Sequence, residues 1–524
     1  MRLTPFLPSR RGFLGGGAAA ACAVLTARKA ESAPTRTVRA TIHTAVETGV
    51  VRPELHGHFA EHLGSCIYGG LWVGRNSSIP NIGGYRKLAV DYLRELGIPV
   101  LRWPGGCFAD DYHWRDGVGP PEKRPRTVNL WWGKYTEDNS FGTHEFIGLC
   151  RLIGAEPYLA GNVGSGTPRE LRDWMEYSNF PSGSTLSDER IANGAREPFA
   201  VRYWGVGNEN WGCGGSMTPE EYAAHYRRFA TYIARRRDGF GGTAPYLIAC
   251  GPSRNDPDWS RRFLQGMGRH LGFVNGFAMH YYSNGKSPAT KFTADTMRDQ
   301  LATFADLERG IVQQHGLLRG FDPEGRIGLL IDEWGVWDRM QPEDEKRYGR
   351  LWQQIPQRAA VAAALGLNVF HRHAGKLVMC NIAQIANVLH AMILTEGGRC
   401  VRTPAYWAFM LLKPHRGQTA VRVEAGTQDP LGLSISASRG ARSLAVTLVN
   451  PRHDETMAAE CALPGAAPAG AAARLLHHPD FNACNTFEQP DLITPRPHPV
   501  EAGRERIRVE LPPVSVVTVE AKLA

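Results

Sequence analysis

Ten cysteines in 524 residues are too few for a disulfide scaffold, and no two are spaced C-x-x-C, so a structural zinc module is unsupported. No apolar run reaches the roughly 20 residues a membrane-spanning helix needs, which argues against stable membrane insertion. No glycine-rich phosphate loop follows the first candidate strand, so the usual mark of a nucleotide-binding doubly wound sheet is missing and no cofactor is implied. Concentrated positive charge is lacking too. The formal charge is +9, but Arg2, Arg10, Arg11, Arg28 and Lys29 against Glu31 account for four of those charges before residue 35. The densest remaining run, Arg227 and Arg228 followed by Arg235–Arg237, falls on an amphipathic helical pattern and reads as a solvated face. Nucleic acid is therefore not an expected partner. With 43% hydrophobic and 21% charged residues, the chain is neither disordered nor fibrous and can bury a large core.

The N-terminus reads as an address. Ser9-Arg10-Arg11-Gly12-Phe13-Leu14 sets two arginines before the Gly/Ala-rich stretch 15–25, the arrangement of a twin-arginine signal. Residues 1–34 are therefore expected to be an export segment cut between Ala27 and Pro34, with a periplasmic or secreted destination. Ala19-Ala20-Ala21-Cys22 is a weak lipoprotein box. Without Cys22, nine cysteines remain, and an oxidising destination would allow one or two bridges.

From about residue 55 to 395, strand-like runs alternate with amphipathic helical stretches. The strand candidates are Leu55–Glu61, Ile98–Pro104, Glu156–Asn162, Arg202–Gly207, Tyr246–Cys250, Gly276–His280, Gly328–Asp332 and one near Val378–Ile382. Helical patterns include Tyr85–Leu96, Thr167–Tyr177, Pro219–Arg236 and Thr293–His315. Eight such units predict a (β/α)8 TIM barrel over residues 51–400. After residue 400 the texture changes to short strands broken by Gly, Pro and Asn: Leu433–Ala437, Ser443–Val449, Ala472–Leu476, Arg506–Glu510 and Val514–Glu520. They predict a C-terminal antiparallel β-sandwich over 401–524, with Ala462–Ala471 as a loop. The strand-like segment 35–50 is expected to join that sandwich.

In such a barrel, chemistry sits at the C-terminal ends of the strands. Two strands end there in a glutamate: Glu209 closes the fourth in Gly207-Asn208-Glu209-Asn210-Trp211, and Glu333 closes the seventh in Asp332-Glu333-Trp334-Gly335. The Trp/Gly surroundings suggest a cleft walled by aromatic rings. Glycoside cleavage needs such a pair, one carboxyl protonated to serve the leaving oxygen and one ionised to attack the anomeric carbon. Taken singly, each glutamate reads as well as a helix cap or salt-bridge partner. Their joint position at strands four and seven favours catalysis.

Around these residues the chain resembles glycoside hydrolase family 51, the α-L-arabinofuranosidases. The marks are His56-Gly57-His58-Phe59-Ala60-Glu61-His62-Leu63-Gly64, Leu101-Arg102-Trp103-Pro104-Gly105-Gly106, Trp114-Arg115-Asp116-Gly117-Val118-Gly119-Pro120, Phe141-Gly142-Thr143-His144-Glu145-Phe146, Glu156-Pro157-Tyr158-Leu159-Ala160, Gly207-Asn208-Glu209 and Asn381-Ile382-Ala383-Gln384. The resemblance spans nearly all of residues 45–410. It implies Glu209 as acid/base, Glu333 as nucleophile, and Asn208 as the partner of the sugar 2-hydroxyl. It further implies Tyr282, beside His280, as a hydrogen-bond donor to the nucleophile, Glu61 and Gln384 as hydroxyl ligands, and Arg102 as a support beneath the acids. One position departs from the pattern. Family members commonly carry Asn after Pro-Gly-Gly, whereas this chain has Cys107, and a thiol replaces a two-way amide poorly. Asp110 or Asp111 is a candidate to supply that sugar contact, and simple packing of a small cysteine is the plainer reading.

His56, His58 and His62 invite a metal reading, but no carboxylate or cysteine set completes a zinc pattern, so none is expected. Cys107 as a nucleophile lacks a nominated base. The resemblance implies an exo-acting enzyme on arabinose-containing polysaccharide or oligosaccharide, assembled as a homo-oligomer. The alternatives are a β-xylosidase or endo-β-glucanase on the same scaffold, or a non-catalytic carbohydrate-binding protein.

Overall fold

The computed structural model describes residues 35–133, 135–233, 239–425 and 429–524. The twin-arginine segment, Cys22 and Arg235–Arg237 lie outside them. Eight parallel strands close into a barrel: β1 (Gly57–Phe59), β2 (Val100–Trp103), β3 (Glu156–Gly161), β4 (Tyr203–Val206), β5 (Tyr246–Ser253), β6 (Gly276–Asn284), β7 (Gly328–Trp337) and β8 (Leu377–Ala383). The alternation of side chains along a strand fills its interior. Val100, Tyr158, Tyr203, Ile248, Ala278, Leu330 and Met379 form a plug at the lower end. One step further up β2, Arg102 is buried among the acids of the strand ends.

A register shift in β7 sets the site. Ile331 pairs with Met279 and Glu333 with His280, which leaves Asp332 as the extra residue of a bulge. A bulge breaks the strict in-out alternation. As a result, two consecutive acids, Asp332 and Glu333, both reach Arg102.

Ten further strands form one sheet, the C-terminal β-sandwich, and three two-stranded ribbons lie apart from both. The ten are the N-terminal strand Thr35–Val50 and β9 (Thr419–Ala425), β10 (Ser434–Arg439), β11 (Ser443–Asn450), β12 (Thr456–Ala462), β13 (Pro468–His477), β14 (Arg496–His498), β15 (Glu501–Gly503), β16 (Arg506–Leu511) and β17 (Ser515–Leu523). The N-terminal strand lies between β9, antiparallel, and β12, parallel. Neither β9 nor β12 was legible as a strand. The expected loop 462–471 is in part strand, because Pro468 and Gly470–Ala471 pair with β17 across a bulge. The helical pattern Thr293–His315 is two helices, Ala294–Ala302 and Phe304–Phe321. They part at Thr303, whose hydroxyl donates to Gln300 O at 2.7 Å and lies 2.8 Å from Ser283 Oγ. The helix Pro404–Leu412 packs on the helix Gln357–Arg372, so the sandwich strands begin only at Thr419.

The helix Gln357–Arg372 is buried through residue 371 and carries the seam between barrel and sandwich. Asn368 Nδ2 donates to Ser434 O at 3.2 Å. His371 contacts Ser436 Oγ at 3.2 Å and His56 Nε2 at 2.9 Å. His415 contacts Ser438 and Thr447. Burial, together with Arg416, pushes His58 down to about 3, and burial alone does the same to His415. His56 and His371 are likewise pushed well below the usual range, again mainly by burial.

These histidines fold neutral but protonate near pH 6.5 once unfolded. Between those values the unfolded chain binds more protons, so stability is complete above about pH 6.5 and declines as pH falls toward 3. The melting temperature should drop by several degrees between about pH 7 and about pH 5, and His58→Leu should flatten that dependence. A melting temperature unchanged across the range would show that the seam does not titrate.

Candidate active site

Glu209 and Glu333 face one another at the C-terminal mouth of the barrel. One oxygen of each, with a ring nitrogen of His280, lie within 4.8 Å of one another. Their surroundings differ. Glu333 is buried; its Oε1 accepts from Arg102 Nη1 at 2.8 Å and its Oε2 from Tyr282 OH at 2.8 Å. Burial opposes its charge, but His280, the Arg102 guanidinium and the two donated hydrogen bonds outweigh it. The carboxyl is therefore held below the usual carboxylate range. Glu209 lies in the loop after β4, with a positive φ of 42° and a side chain 18% exposed.

His280 links the two carboxyls. Its Nδ1 is 2.8 Å from Glu209 Oε1 and 3.6 Å from Glu333 Oε2. Burial disfavours its charged form, yet Glu333 and the hydrogen bond to Glu209 raise it above the ordinary histidine value. Close approach is needed here: a Cβ on Gly106 would stand 3.0 Å from Glu333 Oε1 and 3.4 Å from Glu61.

Arg102 is buried, stacks 4.6 Å over Phe59 and has Nε 3.5 Å from Asp332 Oδ2. Its Nη2 donates to Asn208 Oδ1, which fixes that amide's orientation and leaves Nδ2, buried and unpartnered, as a donor at the site. Gln384 shows the converse. Its Nε2 donates to Glu61 Oε2 at 3.0 Å, leaving Oε1 as an unpartnered acceptor. Glu61 also accepts from Phe108 N and from Trp132 Nε1 at 2.9 Å. Burial and the nearby Glu333 push Glu61 up to about 7.

Cys107 is neither a free thiol nor a simple packing residue, because it forms a disulfide with Cys213. The bridge ties the turn after β2 to the loop after β4, with Cys213 Sγ 3.5 Å and Cys107 Sγ 4.0 Å from Glu209 Oε2. Asp110 does not replace a sugar contact. Its carboxylate is buried and accepts from the backbone N–H groups of Val163 (2.6 Å), Gly164 (2.9 Å) and Asn208 (2.7 Å). Asp111 caps the short turn that follows Cys107.

The aromatic walls differ from the expected ones. Trp334 is fully buried against Phe370 and Phe409, away from the cleft. Trp132, on Glu61, and Trp337, whose ring meets Tyr282 at 5.2 Å, stand at the site instead. Trp337 was findable, four residues beyond Glu333 on the same strand, whereas Trp132 sits in an irregular loop with no periodic signal. Two of the three N-terminal histidines are hydrogen-bonded elsewhere, and His58 packs on Phe409 with neither ring nitrogen hydrogen-bonded. Trp103 Nε1 donates to His62 Nε2, whose Nδ1 faces Glu137, and His56 pairs with His371.

Comparison with known proteins places this geometry. Residues 92–300 match the Alpha-L-arabinofuranosidase 1 domain and residues 332–515 the Alpha-L-arabinofuranosidase C-terminal domain. An intracellular exo-alpha-L-arabinofuranosidase of Bacteroides ovatus is 40% identical over 92% of this chain and 95% of its own. The crystal structure of the GH51 arabinofuranosidase from Xanthomonas axonopodis pv. citri superimposes with a TM-score of 0.88 at 36% identity, covering 93% of this chain and 99% of that one. An arabinose complex of the Thermotoga maritima α-L-arabinofuranosidase gives 0.82 at 28% identity, covering 93% of this chain and all of that one. The Bacteroides relative overturns the export expected from Arg10 and Arg11, because that protein is described as intracellular and aligns with nearly the whole chain. Two arginines before a Gly/Ala-rich stretch form too short a pattern to outweigh it. With two family models covering most of the chain and a relative 40% identical over 92% of it, the chain belongs to glycoside hydrolase family 51, the α-L-arabinofuranosidases.

Proposed function

We propose that this chain is a retaining, exo-acting α-L-arabinofuranosidase with Glu209 as acid/base and Glu333 as nucleophile. The observation that carries it is the pair of carboxyls within 4.8 Å in opposite environments. Retaining enzymes place theirs about 5–5.5 Å apart, leaving no room for a water between them and the sugar. Glu333, kept ionised by Arg102 and Tyr282, attacks the anomeric carbon while Glu209 gives its proton to the departing oxygen. A glycosyl ester on Glu333 results. Glu209, now a carboxylate, draws a proton from water, which hydrolyses the ester. His280, between the two, follows the charge as it passes from one carboxyl to the other.

Asn208 Nδ2 is free to donate to the sugar 2-hydroxyl, and Gln384 Oε1 and Glu61 to engage the remaining hydroxyls. Glu61, Gln384 and Trp132 form a hydrogen-bonded wall at one end of the site, which supports removal of a terminal unit from arabinose-containing polysaccharide or oligosaccharide. The names of the relatives favour this reading over a β-xylosidase, an endo-β-glucanase or a non-catalytic carbohydrate-binding protein. Homo-oligomer formation, implied by the family, belongs to the same reading, and light scattering of the purified protein tests it.

Glu333→Ala should abolish turnover of nitrophenyl arabinofuranoside; activity above about a tenth of wild type would sink the nucleophile assignment. Glu209→Ala should spare the first step with this activated leaving group and accumulate the glycosyl-enzyme. Equal impairment on activated and natural substrates would contradict an acid/base role.

Tyr282→Phe removes a hydrogen bond to the ionised form of Glu333, so that carboxyl's pKa rises and the acid limb of kcat/KM moves to higher pH. An unmoved limb would mean that Tyr282 does not stabilise the nucleophile.

Each polar group that a wrong sugar leaves unpaired costs about 1–3 kcal/mol. Arabinofuranosides should therefore exceed β-D-xylopyranosides in kcat/KM by roughly two orders of magnitude. Comparable rates on the two would refute the substrate class while leaving the mechanism intact.

A further inference from the structure

We propose that reducing the Cys107–Cys213 bridge converts the acid side of the site into a binding site for a thiophilic divalent cation such as zinc or cadmium, held by Cys107, Cys213 and Glu209. The ligand atoms of these three residues already lie within 4.8 Å of one another, and all three residues are half-buried, within reach of solvent. Around a tetrahedral zinc, bonds of about 2.3 Å to sulfur and about 2.0–2.2 Å to oxygen put neighbouring ligand atoms roughly 3.5–3.8 Å apart. The sulfur-to-carboxylate distances of 3.5 and 4.0 Å are close to that spacing. Only the two sulfurs have to separate, by roughly 1.5 Å once the bond between them is gone.

The loops that carry them are anchored without the bridge. Asp110, three residues after Cys107, accepts the N–H groups of Asn208, Val163 and Gly164, so the turn after β2 stays joined to the loops after β3 and β4. Asn210 Nδ2 donates to Gly214 O at 2.8 Å, closing the loop around Cys213. His280 occupies Glu209 Oε1, so Oε2 is the oxygen turned to the sulfurs. Among the described residues, six of the other seven cysteines are buried and none belongs to a comparable ligand group.

The chemistry balances with a dithiol as reductant. Two electrons from the dithiol break the S–S bond, giving two protein thiols and the oxidised, cyclic disulfide of the reductant. The cation then displaces both thiol protons, together with the proton that Glu209 carries as the acid, and binds two thiolates and the Glu209 carboxylate. A disulfide sulfur is no such ligand, so the oxidised protein has no site. The site itself does not depend on the proposed function, but its consequence does: a Glu209 bound to metal cannot carry the proton for the leaving group.

The test uses the full chain, oxidised or reduced with a dithiol that is then removed under inert gas, and titrated with cadmium. The reduced protein should gain a thiolate-to-cadmium ultraviolet band that saturates at one equivalent. It should lose more than about tenfold of its activity on nitrophenyl arabinofuranoside, and a chelator should restore it. The oxidised protein should show neither change, and Cys107→Ser and Cys213→Ser should each lose the band. Absence of the band in the reduced protein, its persistence in either variant, or equal inhibition of both redox forms would overturn the proposal. A saturated band with unchanged turnover would also overturn it, by placing the metal away from Glu209. The absorbance needs no substrate, so a protein that binds cadmium in this way yet never cleaves arabinofuranosides would keep the site and discard the enzymatic reading.

Discussion

Arg102 is the interaction on which the site depends. A buried guanidinium is costly to desolvate and persists only where charge and hydrogen bonds answer it. Here Asp332 and Glu333 supply the charge, Asn208 Oδ1 and Asp332 O accept its N–H groups, and Phe59 covers one face. The dependence runs the other way as well. Without the cation, two adjacent buried acids would repel each other and rise toward protonation, and Asn208 would lose the contact that orients its amide. A lysine would not substitute, because one point charge cannot hold three partners in a planar fork. The bulge in β7 belongs to the same arrangement, since it is what lets consecutive acids meet one arginine.

The two halves of the site are built by different means. Around Glu333, the proposed nucleophile, the anchors are electrostatic: a guanidinium, a phenol and the His280 imidazole hold its carboxyl below the usual range despite burial. On the acid side the anchors are backbone and covalent. Glu209 sits in a positive-φ loop held by Asp110 through the N–H of Asn208 and by the bridge from Cys213 to Cys107. Burial pushes Asp110 up to about 7, while its three backbone hydrogen bonds work to keep it ionised. Opposite protonation demands are thus met by separating the sources of constraint, and His280 is the group that touches both.

Legibility in the sequence followed the same division. The barrel strands were visible because each carries an apolar run of buried-strand length, and Glu209 and Glu333 were visible because each stands just past such a run, although β7 continues through Glu333 to Trp337. What failed was decided by distant pairing. Residues 419–425 and 456–462 are short runs rich in alanine, and each is a strand through its pairing with the N-terminal strand on one side and with β10 or β16 on the other. Cys107 read as a lone departure because its partner is 106 residues away in sequence, and spacing alone cannot pair half-cystines. Trp334 was placed in the cleft by its neighbour Glu333, whereas strand alternation sends it outward onto Phe370.

The position of the bridge bears on how the pocket is shaped. The loops after β2 and β4 are irregular and would ordinarily be the most adaptable parts of a barrel mouth. Joining Cys107 to Cys213 removes that freedom where Glu209, the proposed proton donor, sits and leaves two sulfurs, rather than a two-way amide, facing it. Sulfur is soft and weakly hydrogen-bonding. That side therefore limits where a sugar can go by shape more than by pairing. On the proposed function, discrimination between sugars then rests on Glu61, Gln384 and Asn208, which hold their hydrogen-bonding atoms in fixed orientation. Substitutions among the hydroxyl ligands should consequently alter selectivity without moving the carboxyl pair, because Arg102 holds Glu333 from below and Asp110 holds the Glu209 loop from behind.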